Sequence, residues 1–113
     1  MQQKFVSREG EDPAEVLKPG VKRRLIHLEN LMTVIVDFEH PMEEPDPPHS
    51  HPHEQITFVA SGELYFYIGD KQYFLEQGDM ICIPAGEPHT VRTVTPDVRL
   101  IDSFSPVRED FLK

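Results

Sequence analysis

The sequence has no tryptophan and only one cysteine among its 113 residues. A single thiol cannot form an internal disulfide bond, which is typical of proteins from a reducing compartment. Cys82 lies between Ile81 and Ile83, so we expect a buried, unreactive thiol. No apolar run approaches the roughly 20 residues of a membrane span, and residues 1–20 lack the basic start and apolar middle of a signal peptide. We therefore expect a cytoplasmic protein.

Basic residues are scarce as well. Eleven Lys and Arg stand against twenty Asp and Glu, which gives a net charge of -9 at pH 7. This excess of negative charge repels phosphate backbones and anionic membranes, so it argues against nucleic acid or a membrane as a partner. It does not exclude a small anionic substrate, because a bound divalent cation can dominate the field in its own pocket.

No long helix is predicted, and short apolar runs alternate with turn residues. The length fits one domain, in which residues 1–20 form an arm, where 13–18 could make a helical turn, and residues 21–113 form the domain itself. The runs predict strands at 21–29, 31–39, 55–60, 64–68, 72–75, 89–94 and 98–104. This pattern predicts an all-β fold, either a small antiparallel β-barrel or a double-sheet jelly roll.

The run Leu64–Ile68 is apolar on both of its faces. One face is expected to line the core. The other is expected to meet a second subunit or, as the alternative, to form an aromatic shelf for a ligand.

Histidine is concentrated immediately before the strand at 55–60, where His49, His51 and His53 precede Gln55. On a strand, His49 and His51 would point the same way, about 6 to 7 Å apart at Cα, and could share one ion. A straight strand would carry Gln55 about 20 Å from His49, so the chain must bend if both bind that ion, and Pro52 marks a place for the bend. Spacing alone does not exclude His53 as a ligand.

A second stretch delivers another histidine to the start of a strand. Gly78 begins a turn, a short apolar run follows, and Pro84 and Gly86 form a corner before His89. Together the two stretches resemble the two sequence motifs of the cupin superfamily, His-x-His with a later Gly, and Gly-x5-Pro-x-Gly-x2-His. The sequence departs from them at Glu43, Thr93 and Gln55, which stand where Gly, Asn and a Glu ligand are usual.

This resemblance implies a cupin fold with a metal site. Its ligands would be His49, His51, Gln55 and His89, with Gln55 in place of the usual carboxylate. Imidazole-rich sites accept several divalent transition metals, and Zn, Ni, Fe and Mn all fit.

The predicted last strand places a carboxylate among apolar residues. Asp102 shares one face with Val98, Leu100 and Phe104, so it should point into the core, where an unpaired charge is costly. Asp102 therefore needs a partner, a raised pKa or a chemical role, unless the strand lies at a frayed edge and Asp102 reaches water. Arg108 follows the strand and could either close over the mouth of the core or pair with Glu109 or Asp110.

The tail of the sequence, with the Gln-containing metal motif, resembles the pectin-degradation cupins, which linearise 4,5-unsaturated uronates. That resemblance implies that Asp102, Phe104 and Arg108 are catalytic residues beside the metal, that the substrate is an anionic sugar acid, and that the protein is a homodimer. Two other functions remain open for a cupin. One is a metal-dependent oxygenase, and the other is a non-catalytic module that binds a sugar or effector.

Overall fold

Short β-strands alternate with tight turns through residues 4–112, the part of the chain that the computed structural model describes. The strands in this part are β1 (Glu15–Lys18), β2 (Val21–His27), β3 (Met32–Phe38), β4 (Glu54–Ser61), β5 (Glu63–Ile68), β6 (Lys71–Glu76), β7 (Met80–Ile83), β8 (His89–Thr93) and β9 (Val98–Ser105). A 3₁₀ helix, Glu109–Leu112, follows the last strand. Among the described residues, no helix has the length and apolar character needed to cross a membrane.

The strands form two antiparallel sheets that pack against each other. One has six strands in the order β1-β2-β3-β9-β4-β7, and the other has three in the order β6-β5-β8. The predicted all-β, double-sheet jelly roll is thereby confirmed, and the sheets do not close into a barrel.

Alternation along the strands separates a buried face from an exposed one. In β4, Gln55, Thr57 and Val59 are buried, while Glu54, Ile56 and Phe58 are exposed. The inner face of β9 carries Val98, Leu100, Asp102 and Phe104, and the register places Thr57 opposite Asp102 and Val59 opposite Leu100. The polar residues of this face therefore lie together toward one end of the sheet. The main apolar core, which includes Val59 and Leu100, lies on one side of them, and a smaller apolar cluster of Met32, Val34 and Phe104 lies on the other.

The helical turn considered for residues 13–18 is wrong. Glu15–Lys18 is a strand that pairs with β2, and Glu15 lies opposite Arg23 in the register. Gly20, with φ of 81°, allows the tight turn that brings the two strands together. Pairing with a neighbouring strand has overridden a weak local preference for helix.

The expectation of a buried thiol is also wrong, since Cys82 is exposed. Its strand, β7, lies at the edge of the six-stranded sheet and turns Ile83 inward, where it is 1% exposed. Successive side chains of a strand point to opposite faces, so the residue between Ile81 and Ile83 must point outward.

Strand β5 has two apolar faces, as the sequence indicates. Leu64 and Phe66 are buried in the core. On the outer face the ring of Tyr65 packs against Phe74, with centroids 5.4 Å apart, and the guanidinium of Arg92 lies 4.8 Å above the Tyr65 ring. Neighbouring strands thus cover part of this face, and a subunit contact there stays a prediction.

Candidate metal centre

Three imidazole rings converge at the polar end of the sandwich. The backbones of His49 and His89 bond to each other in both directions, at 3.0 and 2.9 Å, which fixes the loop before β4 to the start of β8. The ring centroid of His89 lies 4.4 Å from that of His49 and 4.8 Å from that of His51. One ligand nitrogen from each of the three residues lies within 4.8 Å of the others, a separation compatible with one divalent metal ion.

The route by which His51 reaches the cluster differs from the predicted one. Residues 50–53 are not part of a strand, and the chain bends at Pro52 and His53. The alternation of a regular strand therefore does not explain why His49 and His51 converge. The bend was expected at Pro52, and it brings Gln55 close to His51.

Gln55 is the first inward-facing residue of β4 and is buried. Its Oε1 lies 3.1 Å from Nε2 of His51, and its Nε2 donates a hydrogen bond of 2.9 Å to the hydroxyl of Thr57. The amide oxygen thus faces the imidazole cluster.

Hydrogen bonds to backbone carbonyls orient two of the rings. Nδ1 of His51 lies 3.1 Å from the carbonyl of His53, and Nδ1 of His89 lies 2.9 Å from the carbonyl of Glu87. A carbonyl only accepts, so each Nδ1 must carry the proton, and the lone pair of the neutral ring is left on Nε2. Such an arrangement is usual for metal-binding imidazoles.

Electrostatics favour the neutral form of all three rings. Burial is the largest cause that lowers the pKa of His49, His51 and His89 below the usual value, and the positive charge of Arg108 lowers it further. The lone pair of neutral His51 Nε2 and the oxygen of Gln55 therefore face each other at 3.1 Å, and a cation bound to both atoms would stabilise this arrangement. The donor set fits a divalent metal ion of the kind that imidazole and amide oxygen bind.

Asp102 is half-buried on the inner face of its strand, where it lines the cavity described below, and does not lie on a frayed edge. Its strand is paired on both sides, with β3 and with β4. The hydroxyl of Thr57 donates a hydrogen bond of 2.6 Å to its Oδ1. Burial raises the pKa of Asp102 to about 6, although the hydrogen bonds from Thr57 and Gln55 and the charge of Arg108 oppose this rise.

Phe104 and Arg108 lie beside the cluster. Phe104 is buried, and its ring meets that of His51 edge to face, with centroids 5.6 Å apart. The guanidinium of Arg108 lies 5.3 Å from the centroid of Phe104 and 4.2 Å from that of Phe111. It also donates two hydrogen bonds, of 3.0 and 2.8 Å, to the carboxylate of Asp110, which is the surface pairing that the sequence left open. The side chain of Arg108 is nevertheless only 12% exposed, whereas that of Asp110 is 58% exposed.

These residues enclose one cavity of about 250 Å³. Its polar lining includes His49, Gln55, His89, Asp102 and Arg108, and Phe104 borders it. Phe38, Phe66 and Leu100 form apolar walls. A cavity with apolar walls and a few converging polar groups is typical of a site for a small molecule.

His53 is not among the histidines that the structure brings together in the cluster. Its ring centroid is 5.4 Å from that of His51, and its buried Nδ1 has no hydrogen-bond partner among the described residues. Spacing alone does not exclude His53 as a ligand, but the three histidines that cluster in the structure are His49, His51 and His89.

Sequence reasoning missed Thr57 and Phe111. Thr57 has the same parity as Gln55 and lies one pleat further along β4, so the alternation that identified Gln55 could also have identified Thr57. Phe111 follows Arg108 by three residues in the tail, and no pattern in the sequence indicates that the two side chains stack.

Comparisons with known proteins agree with this architecture. Residues 37–104 match the model of the family described as "Cupin domain". The chain is 38% identical over 104 residues to the pectin degradation protein KdgF of Dickeya dadantii, a match that covers 90% of this chain and 93% of that protein. The structure of KdgF from Halomonas sp. has a TM-score of 0.87 at 29% identity, and covers 96% of this chain and 99% of its own. An RmlC-like cupin from Shewanella frigidimarina also has a TM-score of 0.87, at 31% identity, and covers 98% and 99%.

Proposed function

The chain belongs to the cupin family, and we propose that it is a metal-dependent enzyme that converts 4,5-unsaturated uronates from pectin or alginate breakdown into linear keto sugars. One observation carries the proposal. Two of the three clustered imidazoles, those of His49 and His89, line a single cavity together with Gln55, and His51 lies behind Gln55 at 3.1 Å. The same cavity is lined by the residues implied by the resemblance to the pectin-degradation cupins, Asp102, Phe104 and Arg108. The 38% identity to a pectin degradation protein over 90% of the chain supports the same substrate class.

The metal ion would be held by His49, His51, Gln55 and His89. All four side chains bind in a neutral form, so they would leave a divalent ion with its full positive charge, whereas a carboxylate ligand would reduce it. When bound, such an ion supplies a Lewis acid that attracts an anionic sugar and polarises its oxygen atoms. Zinc, nickel, iron and manganese are the candidates that suit this donor set.

Arg108 would bind the carboxylate of the uronate. Its guanidinium presents two parallel N–H groups, and in the free protein these donate to the carboxylate of Asp110. A substrate carboxylate can replace Asp110 as the acceptor without leaving the guanidinium unpaired. Phe104 would pack against the apolar side of the sugar ring, because it borders the cavity between Arg108 and His51.

Asp102 would transfer protons. A carboxyl group with a pKa of about 6 can both give and take a proton near neutral pH, which general acid–base catalysis requires. In the proposed reaction water adds across the enol ether, its hydroxyl group to C5 and a proton, moved by Asp102, to C4. The resulting hemiacetal then opens to the keto sugar.

We further propose that the protein acts in the cytoplasm as a homodimer. The outer face of the six-stranded sheet supports a second copy as the partner, because Ile56 and Phe58 of β4 and Met80 of β7 are exposed side by side in the register. Adjacent exposed apolar side chains of this kind are typical of association surfaces. Light scattering at several protein concentrations tests the dimer.

The function is tested by mixing metal-loaded protein with 4,5-unsaturated galacturonate and following the loss of its enol-ether absorbance. We expect loss that stops when the metal is chelated and that falls strongly in an Arg108→Ala variant. Lys71→Ala, which removes a cation from β6 outside the cavity, is the matched control and should retain the rate. A rate no higher than the spontaneous reaction, with metal shown to be bound, would refute the proposal and favour the oxygenase or the effector-binding module.

A further inference from the structure

Thr57 is a polar residue at a position where an apolar one would pack equally well. It lies on the inner face of β4 between Gln55 and Val59, and it is 0% exposed. Threonine and valine are both β-branched and both favour strands. A buried hydroxyl group costs free energy unless it forms hydrogen bonds, so the role of Thr57 depends on the partners of its hydroxyl.

The hydroxyl of Thr57 makes two hydrogen bonds of opposite direction. It donates its only proton to Oδ1 of Asp102 at 2.6 Å, and it accepts a proton from Nε2 of Gln55 at 2.9 Å. Because the single proton is used in the bond to Asp102, only lone pairs remain for Gln55. The amide must therefore turn its NH2 group toward Thr57 and its oxygen away from it, and the interaction of Gln55 with the carboxylate of Asp102 favours the same orientation.

This orientation has a consequence for the imidazole cluster. The oxygen of Gln55 lies 3.1 Å from Nε2 of His51, so both atoms present lone pairs to the same space. If the amide turned over, its NH2 group would donate to Nε2 of His51 instead. Two potential metal ligands would then be lost at once, the amide oxygen and the ring nitrogen.

We propose that Thr57 is a positioning residue that holds the amide of Gln55 with its oxygen toward the metal centre. The inference rests on the proposed function, since it assigns to Thr57 the preparation of one of the proposed ligands. Thr57 itself does not line the cavity. It connects the metal ligand Gln55 to Asp102, the proposed proton-transfer group, through two consecutive hydrogen bonds.

The test is the binding of zinc to the full-length, metal-free protein, measured by competition with a chromogenic chelator. Thr57→Val removes the hydroxyl and keeps the branched shape. Hydrogen-bond partners of metal ligands typically contribute about 10- to 100-fold in affinity, and we expect a loss of that size. Thr57→Ser retains the hydroxyl and should restore most of the affinity.

Thr93 provides a matched control. It is also 0% exposed, and its hydroxyl donates a hydrogen bond of 3.0 Å to the carbonyl of His40, away from the cavity. Thr93→Val therefore loses a buried hydrogen bond of the same kind without affecting Gln55. It should bind zinc as the unchanged protein does.

A double-mutant cycle with Gln55→Ala identifies the route of the effect. Without the amide there is nothing to orient, so Thr57→Val should cause no further loss of zinc affinity in that background. An equal loss in both backgrounds, or no loss in the Thr57→Val single variant, would overturn the inference. Circular dichroism checks that each variant is folded. If Thr57→Val does not fold, Thr57→Ala is used in its place, and the same zinc affinities support or overturn the inference.

The zinc measurement separates this inference from the proposed function. A protein that shows the expected Thr57 dependence of zinc binding but does not convert the unsaturated uronate refutes the proposed function alone. A protein that converts the uronate, but binds zinc equally well with valine at position 57, refutes the inference alone.

Discussion

Strands β4 and β9 pair along their length, and the inner face of this pair changes character from one pleat to the next. At its apolar end Val59 lies opposite Leu100, and both are buried in the hydrophobic core. At its polar end Thr57 lies opposite Asp102, and a hydrogen bond of 2.6 Å joins them. The antiparallel pairing is the same at both ends, so the two regions differ only in their side chains. The apolar side chains pack in the core, and the polar ones form hydrogen bonds suited to chemistry.

Stability and function come from different parts of this small sandwich. Burial of an apolar side chain contributes about 1.5 to 3 kcal/mol to folding. A buried polar group whose hydrogen bonds are satisfied contributes less, about 0.5 to 1.5 kcal/mol per hydrogen bond, because each of these bonds replaces a bond to water. Substitutions at the apolar end should therefore change the free energy of unfolding, and those at the polar end should change metal binding and turnover.

The largest effect is expected for His89→Ala at the polar end. This change removes one imidazole from the cluster, and we expect the protein to lose its bound metal and to convert the uronate no faster than the spontaneous reaction. Metal content by mass spectrometry and the absorbance assay measure the two losses. His40→Ala is the control, because His40 is exposed and outside the cavity. Retention of a full complement of metal by His89→Ala would contradict the proposed ligand set.

Asp102→Asn should remove proton transfer while the metal centre stays intact. The asparagine oxygen can still accept the hydrogen bond of Thr57, so the orientation of Gln55 is preserved. General acid–base catalysis typically contributes about 10²- to 10⁴-fold, and we expect kcat to fall by that factor with little change in KM.

The control for Asp102→Asn is Asp37→Asn. Asp37 pairs with Arg99 outside the cavity, so the loss of its charge should not affect turnover. Full kcat in Asp102→Asn would show that Asp102 does not transfer the proton.

Leu64→Ala examines the apolar end. Leu64 is 0% exposed and packs in the same core cluster as Val59 and Leu100. The cavity left by this change should cost about 2 to 5 kcal/mol in the free energy of unfolding, measured by urea titration of the metal-free protein so that metal binding adds nothing. Turnover per folded molecule should stay near that of the unchanged protein, since Leu64 does not line the cavity.

Leu28→Ala, at a leucine that is 57% exposed, should change the free energy of unfolding by less than about 0.5 kcal/mol and is the matched control. If Leu64→Ala reduced turnover as much as Asp102→Asn, the division between the two ends would not hold.

Much of this division was predictable from the sequence, because strands have a fixed alternation. Parity placed Asp102 on the inner face with Leu100 and Phe104, and the structure has it there. The histidines of the two motifs were identified as one site, and three of them converge. Both observations concern side chains whose position follows from a short-range rule, such as alternation or motif spacing, and the roles of these residues stay predictions.

The sequence predicts less well those positions that depend on contacts between residues, since the spacing of residues along the chain does not describe such contacts. His51 reaches the cluster from an irregular loop that is fixed by backbone bonds to β8, and no strand rule applies there. Residues 15–18 become a strand only because β2 is available as a partner. Arg108 has two acids directly after it in the sequence, Glu109 and Asp110, and local geometry decides in favour of Asp110 in the free protein.

The smallest effect is expected for Cys82→Ser, which tests whether this thiol is exposed, as in the structure, or buried, as the sequence predicts. The side chain is exposed on the outer face of β7, so an added hydroxyl group can bond to water. The free energy of unfolding should change by less than about 0.5 kcal/mol, as for other surface substitutions, and turnover should not change. Had Cys82 been buried between the sheets, the same change would have left a hydroxyl group without a partner and cost about 1 to 3 kcal/mol. A urea titration of monomeric protein at low concentration therefore distinguishes the two positions of the thiol, and a loss in the larger range would show that β7 turns its other face to the core.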